Sequence, residues 1–398
     1  MDNKTTVTNF ASKIPSRGFT SAEFQSRVNR AQGLMRQQDF QALLLTTEPE
    51  FRYFSGFLTQ FWQSPTRPWF LVVPAQGKPV AVIPEIGADY LATTWIDDIR
   101  TWSSPAPQDD GVSLLVQTLK ETAGLTGRIG IPMGPETCLR MPLVDFDTIR
   151  TANPNLEFAD ATLLIRELRL IKSESEIEKI AHICRIVSDS FGALTELIAV
   201  GDMEMDVFRK IKIDILQRGA DDVPYLVGGA GPGGYDDIIS PPSDRVIQDG
   251  DILMLDTGSV FDGYFCDFDR NFTFGYASDS ARNAYEVLYQ ATAAGLQAAH
   301  PGATCSDIFH SMWRIIEAYS PSASGVGRLG HGLGMQLTEW PSHTHFDETI
   351  LRPGMVLTLE PGLTIEPGKM MVHEENIVIR EDGPELLTRR APAELPII

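Results

Sequence analysis

Residues 251–274 read DILMLDTGSVFDGYFCDFDRNFTF, and this stretch decides the fold of the second half of the chain. An apolar strand runs into Asp256, and a second strand follows Asp262-Gly263, a residue pair that favours a tight hairpin turn. If the turn closes there, Asp256 lies opposite Asp269 on the neighbouring strand. Side chains two positions apart in a strand share a face. The stretch therefore predicts a hairpin on which Asp256, Asp267 and Asp269 point to the same side.

This acidic hairpin is the first part of a predicted metal site, because clustered carboxylates repel one another unless a cation neutralises them. Further along the chain follow His331, inside the glycine-rich residues 330–334, and then Glu360 and Glu374. Carboxylate oxygens with one imidazole suit Mn²⁺, Fe²⁺, Co²⁺ or Zn²⁺, and two such ions can hold a hydroxide that attacks at neutral pH. The pattern predicts a dinuclear metallohydrolase with two divalent metal ions, whose identity the sequence leaves open.

Size and charge restrict the class of protein. A chain of 398 residues is long for one hydrophobic core, which predicts two domains. Lys plus Arg number 33 and Asp plus Glu 53, so the net charge is 33 − 53 = −20. Such a charge argues against binding nucleic acid or an anionic membrane surface. A small-molecule or dipeptide substrate is therefore expected.

The N-terminus and the cysteines indicate where the protein resides. Residues 1–18 are polar and lack the apolar core of a secretion signal. No uninterrupted apolar run approaches the length of a membrane helix. The four cysteines have no CxxC spacing, which favours free thiols over disulfides or a zinc finger. A cytoplasmic protein is expected.

Residues 1–165 predict a compact α/β domain, because helix and strand patterns are mixed along them. Helix periodicity covers residues 20–40, with Ser21 as the expected cap, and residues 110–123. Short apolar runs bounded by turn residues predict strands, two of which bracket a hairpin turn. These strands are expected at residues 41–46, 69–74, 80–84 and 128–131.

Residues 166–398 predict an α+β second domain, with helices set between antiparallel strands. Ser173 and Glu176 fit a capping box that opens a helix reaching to about residue 198. The glycine-rich residues 228–234 lack a following Gly-Lys-Ser/Thr, which argues against a phosphate loop and favours a close-approach loop near the substrate. Further helices are expected at residues 203–218, 278–299 and 305–319, and strands at residues 251–256, 263–274, 355–359 and 371–379.

Four motifs of this second half resemble one known family. They are residues 255–258 with the hairpin after Gly263, residues 330–334, residues 352–362 and residues 373–376. Together they are similar to the pita-bread-fold metallopeptidase superfamily, in its prolidase, aminopeptidase P and creatinase branch. The resemblance implies a creatinase-like N-terminal domain followed by a pita-bread catalytic domain, in which His331 and Glu360 also serve catalysis. The metal ligands it implies are Asp256, Asp267, His331, Glu360 and Glu374.

Two other stretches, residues 53–58 and 301–308, resemble creatinase in particular. In creatinase-like dimers, an aromatic residue and an arginine shortly after the first stretch hold the substrate carboxylate in the partner's active site. Phe61, Trp62 and Arg67 occupy that region here, and the fork of an arginine suits a carboxylate. The resemblance therefore implies a homodimer in which a loop of the N-terminal domain reaches the partner's active site.

The chain departs from the peptidases of this superfamily at two histidines that act beside the metals. Ile239 and Thr338 stand at those positions and are expected to border the substrate. The Glu-Trp-Pro stretch that follows is similar to one in a metal-dependent dimethylsulfoniopropionate lyase of the same superfamily, which makes Glu339 a candidate proton shuttle. His343 and His345 are candidates to replace the lost imidazoles.

Several activities stay open at this point. The first is metal-dependent hydrolysis of a C–N bond in a small carboxylate-bearing substrate, such as an Xaa-Pro dipeptide or a related amide. The second is a metal-dependent lyase reaction of the dimethylsulfoniopropionate-cleaving type. A metal-free, creatinase-like amidinohydrolase is a third, although creatinase keeps its catalytic histidine and lacks most metal ligands, which is the reverse of this chain. A binding module without catalysis is a further alternative, against which the complete ligand set argues.

Overall fold

The computed structural model describes residues 14–319 and 327–398. Residues 1–13 of the polar N-terminal segment lie outside the described residues. The chain divides into two compact units, Ser16–Arg169 and Leu170–Ile398. In the described ranges, no helix is long and apolar enough to cross a membrane.

The N-terminal unit is built on a six-stranded mixed sheet with helices packed against it. Its helices are α1 (Ser21–Gln37), α2 (Glu48–Ser55), α3 (Ala88–Leu91), α4 (Val112–Ala123), α5 (Leu143–Ala152) and α6 (Thr162–Leu170), with 3₁₀ turns at Gln60–Gln63 and Glu85–Gly87. Its strands are β1 (Ala42–Leu45), β2 (Phe70–Pro74), β3 (Val80–Pro84), β4 (Asp98–Trp102), β5 (Arg128–Ile131) and β6 (Glu157–Asp160). The strand order is β4-β3-β2-β1-β5-β6.

Hydrophobic burial explains the arrangement of this sheet. Strands β1 and β2 lie in the middle because every one of their residues is buried, as expected for strands covered on both faces. Leu44 of β1 packs in one core cluster with Leu115 and Leu119 of α4. The predicted α/β character and the β2–β3 hairpin are confirmed. The predicted cap was wrong by one residue, because Thr20 Oγ1 rather than Ser21 accepts the Glu23 amide, at 3.2 Å.

The C-terminal unit contains five helices and eleven strands in its described part. The helices are α7 (Glu174–Gly192), α8 (Leu194–Leu197), α9 (Glu204–Gln217), α10 (Asp279–Ala298) and α11 (Cys305–Tyr319). The strands are β7 (Asp222–Pro232), β8 (Asp251–Phe261), β9 (Tyr264–Phe265), β10 (Phe268–Thr273), β11 (His331–Gly332), β12 (Glu339–Ser342), β13 (Val356–Leu359), β14 (Gly362–Glu366), β15 (Lys369–Val372), β16 (Glu375–Arg380) and β17 (Gly383–Leu386).

These strands form antiparallel sheets that share a core with α10 and α11. One sheet has the order β10-β8-β7, with β9 paired to β8, and a second has the order β12-β11-β13-β16-β17. Strands β14 and β15 form a separate ribbon. Leu288 and Ile308 from the two helices pack with Met254, Leu357 and Ile377 from the two sheets. The predicted α+β character of this unit is confirmed.

The central hairpin has the predicted register. Asp256 on β8 is the direct partner of Asp269 on β10. The turn consists of Asp262 and Gly263, with φ angles of 46° and 72°. Two positive φ values are the requirement of a type I′ turn, whose twist matches that of the flanking strands. Turn chemistry and side-chain alternation were therefore sufficient to place Asp256 and Asp269 face to face.

Several predicted elements of this unit differ from the structure. The strand expected at residues 251–256 continues to Phe261, and the strand expected at residues 263–274 is broken at Cys266 and Asp267, between β9 and β10. The helix opened by Ser173 ends at Gly192, and the short α8 follows it. Most of the glycine-rich run belongs to β7 and not to a loop. A Cβ at Gly228 would lie 2.2 Å from the Met254 carbonyl oxygen on β8, so only glycine allows these two strands to approach so closely. The single strand expected at residues 371–379 is broken between β15 and β16, at His373 and Glu374.

Candidate active site

The five predicted metal ligands all line one cavity of about 250 Å³ in the C-terminal unit. Asp256 lies on β8 and Asp267 directly precedes β10, while His331 begins β11. Glu360 follows β13, and Glu374 occupies the break between β15 and β16. The ligands thus come from both antiparallel sheets, with Asp256 in the middle of the central strand β8 and the other four at strand ends or in the connections between strands.

Distances between the polar atoms are short enough for a shared cation. His331 Nε2 lies 3.4 Å from Asp267 Oδ2 and 3.9 Å from Glu360 Oε2. One possible ligand atom each from Asp267, His331 and Glu374 all lie within 4.8 Å of one another. Such spacing is compatible with ligand–metal distances of about 2.0–2.2 Å around one ion.

Neighbouring backbone and side-chain groups hold these ligands in place. His331 Nδ1 donates to the Gly332 carbonyl oxygen at 2.8 Å, which leaves Nε2 with its lone pair directed at the carboxylates. The Asp267 amide donates to Asn376 Oδ1 at 2.9 Å, and Asn376 Nδ2 donates back to the Asp267 carbonyl oxygen. Asn376 therefore ties the loop of Asp267 to β16, the strand that follows Glu374.

The carboxylates are electrostatically unfavourable without a cation. Burial, followed by the charges of neighbouring carboxylates, raises the pKa of Asp256, Asp267 and Glu374 well above the ordinary range. The pKa of Glu360 is also raised by burial. Asp256 Oδ1 and Glu374 Oε1 are buried and have no hydrogen-bond partner among the described residues. Unpartnered carboxylate oxygens around one imidazole fit divalent metal ions.

Asp269 adds one more buried carboxylate behind this group. Burial first, and then the charge of Asp256, raises its pKa well above the ordinary range. In the structure Arg270 donates to the main-chain oxygen of Asp269, and its guanidinium pairs with Glu375 at 2.9 Å. The carboxylate partner of Arg270 is therefore Glu375 rather than Asp269.

Ile239 and Thr338, which were expected to border the substrate, both line the cavity. The cavity also contains two polar residues that sequence reasoning missed, Tyr225 and Arg328. Burial, followed by the charge of Asp256, raises the pKa of Tyr225. Tyr225 was not predicted, because it stands in β7 before the glycines and outside the four motifs. Arg328 stands three residues before His331, which was the available signal for it.

Glu339, His343 and His345 do not line the cavity within the described structure. The Glu339 carboxylate accepts from Lys172 Nζ at 3.1 Å and from the Met335 amide at 2.8 Å. Burial lowers the pKa of His343 to about 3, so its ring stays neutral. His345 is exposed and packs against Phe346, with 4.9 Å between ring centroids. These placements do not favour the expected roles in proton transfer or imidazole replacement.

In the N-terminal unit, Phe61, Trp62 and Arg67 lie on one loop but in different environments. Trp62 is buried between Phe51 and Trp69, with ring centroids 5.4 and 5.9 Å away. Phe61 is 42% exposed, and the Arg67 guanidinium lies 5.6 Å from its ring centroid. Core packing therefore accounts for Trp62, whereas Phe61 presents much of its surface to solvent.

Arg140 holds this loop in place. Its guanidinium donates to the main-chain oxygens of Phe61 and Arg67, both at 3.4 Å, and to those of Ser64 and Thr66. Arg67 itself has a φ of 57°, an uncommon conformation for a residue with a side chain. The Arg140 guanidinium thus fixes several carbonyl groups of this loop, whose backbone is strained at Arg67.

Comparison with known proteins places both units in described families. Residues 178–381 match metallopeptidase family M24, and residues 27–171 match the creatinase/prolidase N-terminal domain. The Xaa-Pro dipeptidase of Pyrococcus furiosus is 31% identical over 239 residues, which covers 58% of this chain and 67% of that protein.

Solved structures resemble almost the whole chain. The prolidase from Thermococcus sibiricus is 25% identical with a TM-score of 0.84, covering 95% of this chain and 100% of that one. Dipeptidase PepE from Mycobacterium ulcerans is 26% identical with a TM-score of 0.82, covering 96% and 99% respectively. These matches confirm the expected creatinase-like N-terminal domain and pita-bread catalytic domain.

Proposed function

The chain belongs to metallopeptidase family M24, and from this premise we propose that it is a dinuclear metal-dependent dipeptidase. Its substrate would be a small carboxylate-bearing molecule with a scissile C–N bond, of the Xaa-Pro dipeptide type. The observation that carries the proposal is the convergence of Asp256, Asp267, His331, Glu360 and Glu374 on one cavity of about 250 Å³. The dipeptidase names of relatives that cover nearly the full chain support the substrate class.

Residues of this chain would hold the metal ions and transfer the proton during the reaction. Two bound divalent ions would supply a water nucleophile at neutral pH and polarise the bond under attack. Glu360 is the candidate acid–base group, because its side chain is 27% exposed whereas that of Asp267 is 7% exposed. Burial raises the pKa of the Glu360 carboxyl group above the ordinary value, which favours a group that can take up and release a proton. His331 keeps its Nε2 lone pair for a metal through the bond to Gly332.

The test is metal-dependent turnover by the full-length protein. Chelator-treated protein would be reconstituted separately with Mn²⁺, Fe²⁺, Co²⁺ or Zn²⁺ and given a panel of Xaa-Pro and Xaa-Ala dipeptides. We expect release of the C-terminal amino acid only after reconstitution. A protein that binds stoichiometric metal, but turns over no dipeptide or small amide with any of these ions, would contradict the proposal.

The lyase reaction is a second candidate, supported by Ile239 and Thr338 in place of the peptidase histidines. Solvent labelled with ¹⁸O distinguishes the two reactions. Hydrolysis introduces the label into the product carboxylate, whereas a lyase releases an alkene without it. The placement of Glu339 outside the cavity favours hydrolysis, since Glu339 carried the resemblance to the lyase. A cytoplasmic location stays a prediction from the sequence.

We further propose a homodimer in which the loop of Phe61 and Arg67 reaches the partner's active site. The exposure of Phe61 and the fixed geometry of the loop support this role. Arg140→Ala should loosen the loop and raise KM for a dipeptide about 10-fold, the loss expected for one charge-assisted contact, with little change in kcat. Steady-state kinetics would measure both constants.

The matched control is Arg128→Ala. Arg128 also donates to a main-chain carbonyl in this unit, that of Gln38 at 2.7 Å, but has no contact with the loop. It should leave KM unchanged. An unaltered KM in Arg140→Ala, or a monomer in light scattering of the active wild type, would reject the shared active site.

A further inference from the structure

Arg328 is the one arginine among the residues that line the active-site cavity in the described structure. It lies close enough to Asp267 and Glu360 for its charge to lower the pKa of both carboxyls. Nevertheless, no carboxylate oxygen of the described residues comes within 4.0 Å of its guanidinium. The Arg328 guanidinium thus lies near these carboxylates without forming an ion pair with any described residue.

Hydrogen bonding leaves the same guanidinium largely available. Its one hydrogen bond to the described residues runs from Nη2 to Thr338 Oγ1 and is long, at 3.4 Å. A guanidinium carries five N–H donors in a planar fork whose geometry matches the two oxygens of a carboxylate. Most of these donors therefore remain for a molecule in the cavity. Thr338, at the position of a peptidase histidine, orients the fork rather than replacing an imidazole.

The rest of the cavity wall defines what such a molecule must look like. Ile238, Ile239, Leu337 and Val372 supply apolar surface, and Ile239 is 73% exposed. An apolar body with one terminal anion would fill the space between this wall and Arg328. The carboxylates of the site cannot bind that anion, because they carry the same charge.

We propose that Arg328 binds the terminal carboxylate of the substrate, from the same chain that supplies the metal ligands. Arg328 is then the specificity-determining residue, and Thr338 is its positioning residue. The substrate class is a small acid with an apolar group next to the scissile C–N bond and a free carboxylate beyond it. This inference rests on the proposed hydrolysis and adds the group that selects the substrate.

The experiment compares L-alanyl-L-proline with its C-terminal amide on the metal-loaded, full-length protein. Wild type should prefer the acid in kcat/KM by about 10- to 150-fold, the factor expected for one charge-assisted pair. Arg328→Gln should lower kcat/KM on the acid by about that factor and on the amide by much less, so that the preference for the acid disappears. Arg328→Lys should recover part of the preference, because an ammonium retains the charge but lacks the fork.

Controls separate Arg328 from other causes. Arg314→Gln removes an exposed arginine of α11 and should keep the wild-type preference. Metal content measured by mass spectrometry should be equal in all variants, so a loss of ions cannot explain the result. If Arg328→Gln keeps the wild-type ratio of acid to amide, or if Arg67→Gln alone abolishes it, the proposal is overturned.

A binding measurement keeps this inference distinct from the proposed reaction. L-proline and L-prolinamide would be titrated calorimetrically into metal-loaded wild type and Arg328→Gln. Selective binding of the acid by wild type and its loss in the variant would support Arg328, even if no dipeptide were cleaved. Equal binding of acid and amide by wild type would overturn the role of Arg328 while leaving the hydrolase proposal to its own test.

Discussion

Glu374→Gln should make the metal-free protein more stable and the metal-loaded protein less stable. The buried Glu374 carboxylate is crowded by the charges of Asp267, Glu360, Asp256 and Asp269, and its Oε1 has no hydrogen-bond partner in the described structure. Removing the charge relieves this repulsion but also removes a metal ligand. About 1 kcal/mol shifts the melting temperature of a 150–250-residue domain by about 2–4 °C, so both changes are measurable by calorimetry.

Activity should fall together with the metal-dependent stabilisation. Replacing a residue that merely orients a metal ligand costs about 10- to 100-fold, so loss of Glu374 itself should cost more than about 100-fold in dipeptide turnover. The matched control is Glu366→Gln, since the Glu366 side chain is 55% exposed and pairs with Lys369 at the surface. A Glu374→Gln protein that keeps metal-dependent turnover would exclude Glu374 as a ligand.

The pH dependence of the metal-free protein should show the same repulsion. Asp256, Asp267, Asp269 and Glu374 have folded-state pKa values above those of the unfolded chain. Above about pH 4 the folded protein therefore holds protons that the unfolded chain has released, and the free energy of unfolding falls as pH rises towards the folded pKa values. Denaturant titrations with chelator should show a shallower fall in Glu374→Gln. A free energy that increases over this range would contradict the assigned repulsion.

The sequence was sufficient for the hairpin because every determinant there is local. The turn pair Asp262-Gly263 fixes the register, and alternation then fixes which side chains face each other. The break at Glu374 was not predicted, although the polar residues 373–376 interrupt the apolar residues on either side of it. Asn376 lies on β16, the strand after this break, and holds Asp267 in place. The two residues are 109 positions apart in sequence, and only the folded chain brings them together.

Long-range contacts also explain which site residues were missed or misplaced. Arg328 stands near His331 in the sequence, but its bond to Thr338 and its place in the cavity exist only in the folded chain. Glu339 was expected beside the metals because of the motif that contains it. Its partner Lys172 lies 167 positions earlier, so the ion pair could not be predicted from the neighbouring sequence.

The ion pair between Lys172 and Glu339 should contribute strongly to the stability of the folded protein. Glu339→Gln should destabilise the C-terminal unit by about 3–5 kcal/mol, because it leaves the Lys172 ammonium buried without its counter-charge. The side chains of Lys172 and Glu339 are only 3% and 6% exposed, and Nζ lies 3.1 Å from Oε2. Denaturant titration of the metal-loaded protein would measure the loss. Lys172→Met should be destabilising for the converse reason, since it leaves a buried carboxylate.

The double variant Lys172→Met/Glu339→Gln decides what the pair does. A neutral Gln can still accept from the amides of Met335 and Gln336, which Glu339 Oε1 holds at 2.8 and 3.2 Å. No unpaired charge remains, so the double variant should be more stable than either single variant. A double variant no more stable than Glu339→Gln would mean that the two charges do not interact.

Turnover by the same three variants separates a structural Glu339 from a catalytic one. A general acid–base group contributes about 10²- to 10⁴-fold to the rate, and restoring stability cannot replace its proton transfer. If Glu339 only anchors the residues around Met335 through Lys172, the double variant should recover wild-type kcat along with its stability. If kcat stays about 100-fold low in a double variant that is stable and fully metal-loaded, Glu339 is a proton shuttle after all. The lyase reaction, for which Glu339 was the candidate group, would then regain its support over hydrolysis.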